Sequence, residues 1–391
     1  MPGLYVGNQG GKLLLLEGLQ RQENAHCGGP RAIQQGAGQL WCALFQRPAR
    51  RTQPMNKTKF IMSKNSLLNA ALTSAAFIMS YVLLSFYTEG DQIHYKRLYE
   101  AFEAAYFWEV MDLGVLHVSS AEPITLYILW VGAVWGIDKN VYISIFNSIL
   151  VFGLLVLLAR KKAPLYIYLL LLTNFYLIVL LTGAERLKFA YIFFVFAAIS
   201  TSTFGRFGNI ALAPFSHFQA LIYFPSLILY YLYYDLKLFL RYYLTVKLLI
   251  VIVLFAVFVA VVSLFKFDEI LAKAIIYISE NAQITEAVNL LILLIVALSA
   301  TKNRLRMFLV LLPLFPAVVL LGGERVNMIA VSLVIYYLLI EERLNRPLPI
   351  LLLCYFSIQS IFFISNIIQF GDGFYGLSSH KPYTPSLIRI S

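Results

Sequence analysis

From Ser66 onward the chain is a succession of apolar runs, each closed by a short cluster of charged residues. The runs are roughly 15 to 22 residues long, close to the roughly 20 that a helix needs to cross a hydrocarbon core of about 30 Å. The period-two alternation of a membrane-spanning barrel is absent. Hydrophobic residues make up 60% of the chain and charged residues 13%, against about 25% charged in a soluble domain. A water-facing surface cannot be assembled from such a composition. The expected fold is all-α, a polytopic integral membrane protein with about ten or eleven transmembrane helices.

Runs at Ser66 to Tyr87, Val141 to Ala159, Pro164 to Thr182, Leu187 to Thr203, Leu248 to Phe265, Thr285 to Ala300, Met307 to Leu321, Val326 to Ile340 and Leu348 to Ile368 read as spans. Asn209 to Ser216 followed by Phe218 to Tyr234 reads as a hairpin whose first arm is broken by Pro214. The segment 88–140 mixes aromatic, charged and apolar residues; its run Ile124 to Trp135 is short for a crossing and is expected along the outer interface. Residues 1–54, rich in Gln, Gly and Arg, read as disordered or as a non-native extension ahead of a start at Met55 or Met62. Residues 55–370 then form one membrane domain, and 371–391 an outer tail.

The net charge of +11 would point to nucleic acid in a soluble protein. Here the basic residues sit in short loops between spans, where they set orientation, and nucleic-acid binding is not expected. With the N-terminus in the cytoplasm, the inner loops hold twelve Lys or Arg and three acids (Asp235, Glu341, Glu342), while the outer segments hold ten and fifteen. Merging the hairpin around His217 into one span would invert every later loop, against this rule.

With that orientation Asp91, Glu122, Glu185, Arg186, His217, Glu324 and Arg325 all fall at the outer ends of spans or in outer loops. Ions at a membrane boundary mark a site, a pathway or a structural pair. LTGAERLKFA and LGGERVNMIA each deliver a Glu-Arg pair after a Gly-containing bend. One reading is helix capping by Glu with interfacial snorkelling by Arg. The other is a diphosphate clamp, since guanidinium offers a rigid, permanently charged donor fork. Asp91 opens YTEGDQIHYKRLYEAF, and Glu122 precedes Pro123; either is an ordinary helix start or a carboxylate for a sugar hydroxyl. His217 is an interfacial histidine or a proton-handling group.

Other chemistries lack their residues. The chain has no GxxxxGK[ST], HExxH, DxD or GxSxG pattern. Its three cysteines, Cys27, Cys42 and Cys354, have no zinc or disulfide spacing. The membrane-embedded residues are nearly free of charge, unlike a transporter path.

Five stretches, in order, resemble the EpsG-type group of Wzy-like polysaccharide polymerases: GDQIHYKRLYEAF, AEPITLYILW, AERLKFAYIFFVFAAIS, LAPFSHFQALIYFP and GGERVNMI. Together they cover about residues 66 to 370. The chain departs from that pattern after Arg186, where Leu187 and Lys188 stand in place of the usual Gln. The resemblance implies a GT-C-like fold in a bacterial cytoplasmic membrane, joining oligosaccharide repeats carried on undecaprenyl diphosphate into exopolysaccharide, capsule or O-antigen, without metal or cofactor. It implies catalytic roles for Asp91, Glu122 and His217, diphosphate binding by Arg186 and Arg325, and support from Glu185 and Glu324. Membrane lipid, a flippase and a chain-length regulator are the implied partners. Another GT-C-like glycosyltransferase, an O-antigen ligase or a glycan flippase are the alternatives.

Overall fold

The computed structural model describes residues 64–239, 253, 256, 284–321 and 323–375. The expected span Leu248 to Phe265, the N-terminal extension and the tail beyond Tyr375 lie outside the described residues. Every regular element among the described residues is helical. In chain order they are α1 (Lys64–Phe86), α2 (Asp91–Phe102), α3 (Val110–Val118), α4 (Pro123–Val134), α5 (Lys139–Arg160), α6 (Leu165–Leu172), α7 (Phe175–Thr182) and α8 (Glu185–Ile199). There follow α9 (Thr203–Ser216), a 3-10 turn (Phe218–Ile222), α10 (Tyr223–Phe239), α11 (Ile284–Ala300), α12 (Arg304–Leu311), α13 (Leu314–Leu321), α14 (Gly323–Ile340) and α15 (Pro347–Phe370).

Three of these helices, in α1, α5 and α15, are long and apolar enough to cross a membrane alone, and the number rises to five if two bent pairs each count as a span. The bent pairs are α3 with α4, at 102°, and α6 with α7, at 51°. The expected span Pro164 to Thr182 is therefore broken at Thr173 and Asn174, where the Asn174 side chain accepts from the Tyr176 N–H and so starts a new helix. Residues 218–230, 287–300 and 325–340 are shorter apolar helices. The expected run Leu187 to Thr203 ends early, at Ile199, because Ser200 is extended and the Ser202 hydroxyl caps α9 by accepting from the Gly205 N–H.

In a lipid-facing bundle, apolar burial does not choose helix partners; close approach and interhelical hydrogen bonds do. The α1–α5–α7 junction shows both. Asn147 on α5 donates to Ser80 of α1 and to the Leu181 carbonyl at 2.7 Å, and the Ser144 hydroxyl lies 3.2 Å from Ser80. At Gly153 of α5 a Cβ would stand 2.6 Å from Val195 of α8, so glycine is what lets these helices touch.

Helix direction follows from contacts at the ends. Lys139 and Glu185, at the starts of α5 and α8, form an ion pair, and Arg160 at the close of α5 donates to the Ile199 carbonyl at the close of α8. The two helices run parallel. Leu339 and Leu344, at the far end of α14, share a surface pocket with Arg160, Lys161 and Lys162. One end of the bundle thus collects Arg160, Lys161, Lys162, Arg206, Lys302, Arg343 and Arg346, and the other collects the starts of α4, α5 and α8 with the turn after α9.

Candidate functional site

At that second end, three side chains expected from sequence meet. Glu122 precedes α4, yet its side chain makes no capping bond. Its Oε1 accepts from the Phe218 N–H at 3.1 Å and lies 2.7 Å from His217 Nδ1. Its Oε2 accepts from the Ser120 hydroxyl at 2.8 Å and from Arg186 Nη1 at 3.2 Å. Glu122 is 2% exposed, and four partners occupy the roughly four acceptor positions of a carboxylate. No lone pair remains for a substrate hydroxyl, so Glu122 holds its neighbours rather than touching an acceptor. Burial raises a carboxyl pKa, but the charges of His217 and Arg186 outweigh it and hold this one well below the usual carboxylate range.

His217 stands at the close of α9, where the chain leaves the helix in an extended conformation. Thr125 of α4 pins this turn by donating to the Ser216 carbonyl at 2.7 Å. The other ring nitrogen, Nε2, lies 3.0 Å from Gln219 Oε1. With Nδ1 donating to a carboxylate, the imidazole is oriented in the manner of a carboxylate–histidine pair.

Arg186 does not snorkel away. Its Nε donates to the Tyr95 hydroxyl at 2.7 Å while Nη1 holds Glu122, and its side chain stays 19% exposed. Nη2 has no partner among the described residues, which leaves part of the donor fork for an anion.

Glu185 has a different fate. It is fully buried, its Oε1 lying 3.4 Å from Lys139 Nζ and its Oε2 3.9 Å from Lys188 Nζ. Gln92 of α2 donates to it at 3.0 Å and to the Thr182 carbonyl, and accepts from Lys139 at 2.5 Å. This is an internal strut tying α2, α5 and α8 together beneath Arg186, not a capping group. Glu185→Gln leaves the buried Lys188 and the half-buried Lys139 without their anion, a loss of about 3–5 kcal/mol. A lowered unfolding midpoint in detergent checks it, with Arg325→Ala expected to leave the midpoint unchanged.

The remaining expectations divide. Asp91 is exposed at the start of α2, and its charge acts on Tyr95 and Arg186, so it borders the cluster. Arg325 is exposed at the start of α14, at the same end of the bundle, but no contact among the described residues joins it to Arg186. The Glu324 side chain lies outside what is described. Tyr95, Ser120, Gln219, Gln92, Lys139 and Lys188 were not expected as site groups; only Lys188, three residues after Glu185 on one helix, carried a local signal. Among the described residues no three His, Cys, Asp or Glu side chains converge as a metal site would require.

The turn before α3 and one face of α4 carry an aromatic surface. Tyr106 and Trp108 are stacked and exposed, and Phe107 stacks on Tyr127 and meets Trp130 edge-on. Such a surface suits a membrane interface.

No protein-family model, no curated protein and no solved structure matches the chain.

Proposed function

We propose that this protein is a metal-independent glycosyltransferase of GT-C-like architecture, with ten or eleven spans, that joins lipid-linked oligosaccharide repeats into a polysaccharide. The reading is supported chiefly by one observation: a buried Glu122 binds both His217 and Arg186 at the end of an apolar bundle opposite the basic end. By the positive-inside rule the basic end faces the cytoplasm, so the cluster faces outward. That is the side on which repeats carried by undecaprenyl diphosphate would be joined in the EpsG-type group that the chain resembles.

In this mechanism a hydroxyl of one lipid-linked repeat attacks the anomeric carbon of the growing glycan. The bond from that carbon to the diphosphate oxygen breaks, and undecaprenyl diphosphate leaves. Arg186 takes up the charge that develops on the leaving diphosphate, which is stabilisation made in the transition state. His217, oriented by Glu122, or the exposed Asp91 receives the hydroxyl proton. Arg325, exposed at the same end of the bundle, is the second candidate to bind the diphosphate.

Deleting the gene and complementing it with wild type or with Arg186→Ala tests this, with surface and lipid-linked glycans resolved by size. Loss of long chains, with single repeats accumulating on the outer-face carrier, is the expected result. Long polymer left unattached to its final anchor would make the protein a ligase instead. Repeats trapped on the inner face would make it a flippase.

A further inference from the structure

A second feature lies on the opposite side of the bundle and does not rest on the proposed activity. Helices α5 to α10 and α14 line an apolar cavity of about 220 Å³ that opens at one end. Along α14 its wall runs from Met328 to Leu339, about 16 Å at 1.5 Å per residue. Leu154, Leu158, Val195 and Ala198 form much of the remainder. That length accommodates about a dozen methylenes of an extended hydrocarbon chain, and apolar walls exclude water.

The cavity reaches the basic end at Arg206, the one charged residue that lines it among the described residues. Arg206 is exposed, donates to the Ser200 carbonyl at 3.2 Å, and forms no ion pair among the described residues. Arg160 donates to the adjacent Ile199 carbonyl. Two guanidinium groups therefore flank a single turn at the cavity mouth, each with further donors to offer. Beside them Phe204 is 90% exposed, as expected of a side chain set into the interfacial layer.

The geometry points to a binding site for an anionic membrane phospholipid, with one acyl chain in the cavity and its phosphate held by Arg206 and Arg160. Hydrocarbon fills the apolar cleft, and the phosphate complements two cations that form no ion pair among the described residues. The headgroup lies at the basic end, away from Glu122, His217 and Arg186, which sets this lipid apart from a lipid-linked substrate whose diphosphate is held at that cluster.

The test is retention of lipid by the full chain through delipidation, counted by native mass spectrometry after exchange with phosphatidylglycerol or with phosphatidylcholine. Phosphatidylglycerol should be retained about ten-fold better, because its phosphate charge is not offset by a headgroup cation as that of phosphatidylcholine is. Arg206→Ala should abolish that preference and Arg206→Lys preserve it, which separates charge from misfolding. Ala198→Phe, which fills the cavity, should lower retention of both lipids. Equal retention of the two lipids, retention unchanged by Arg206→Ala and Ala198→Phe, or displacement of phosphatidylglycerol by a polyprenyl phosphate would each overturn the assignment.

Discussion

Arg186→Ala should halt glycan extension, lowering the rate of the transfer step by roughly 100- to 1,000-fold while the protein still reaches the membrane. The argument lies in what each nitrogen of this guanidinium does. Nε is anchored by Tyr95 and Nη1 by Glu122, which aims the remaining donors outward from a mostly buried position. Arg186→Lys should fail to restore extension, because an ammonium on a flexible stem cannot hold both anchors and still present a fork to a diphosphate. Membrane abundance should stay near wild type, since Glu122 retains His217, Ser120 and the Phe218 amide. Rates measured at equal abundance check both variants; a lysine variant with wild-type extension would reduce Arg186 to a point charge.

Glu122→Gln should lose both stability and rate. Its carboxylate is the anion of Arg186 and the acceptor that orients His217, in a site nearly closed to water, and removing the charge leaves Arg186 without its partner at a cost of about 3–5 kcal/mol. The same change frees the His217 ring and slackens Arg186, so extension should fall by roughly 100- to 10,000-fold, the range for a lost acid–base group. The pH dependence has a definite sign. A folded-state pKa held below the unfolded value of about 4.3 contributes stability that is fully present above that pH and fades as the pH falls through the folded value. The stability gap between wild type and Glu122→Gln should therefore be steady from about pH 5 upward and narrow only below about pH 4. Unfolding midpoints across that range measure it.

How much of this was legible in the sequence follows the reach of each signal. Hydropathy is a local average, so the long spans α1, α5 and α15 appeared within a few residues of their ends. The same averaging concealed the breaks at Thr173 and Asn174 and at Ser200, where one polar residue satisfies a new helix start and the surrounding apolar run barely dips. The proline in the hairpin is visible in the sequence, but the Ser202 hydroxyl caps the helix and starts α9 at Thr203, ahead of the expected arm at Asn209. Within the site, Glu122, His217 and Arg186 stood out because ions at the ends of apolar runs are costly. Their pairing could not be read, since it joins residues 64 and 95 positions apart. Tyr95 and Gln92 were hidden for the same reason, as helical polar residues 47 to 93 positions from their partners. The two Glu-Arg stretches looked alike, yet the first sends Glu185 inward to two lysines and Arg186 to Glu122, while Arg325 remains exposed. Local likeness did not determine tertiary surroundings.

The most direct test is reconstitution of the purified full chain in vesicles supplied with an undecaprenyl-diphosphate-linked repeat, following chain length and released undecaprenyl diphosphate together. The account predicts that glycans lengthen by whole repeats, that one undecaprenyl diphosphate is released per bond formed, and that both signals vanish with Arg186→Ala. Movement of the lipid-linked repeat across the bilayer with no new glycosidic bond would contradict it.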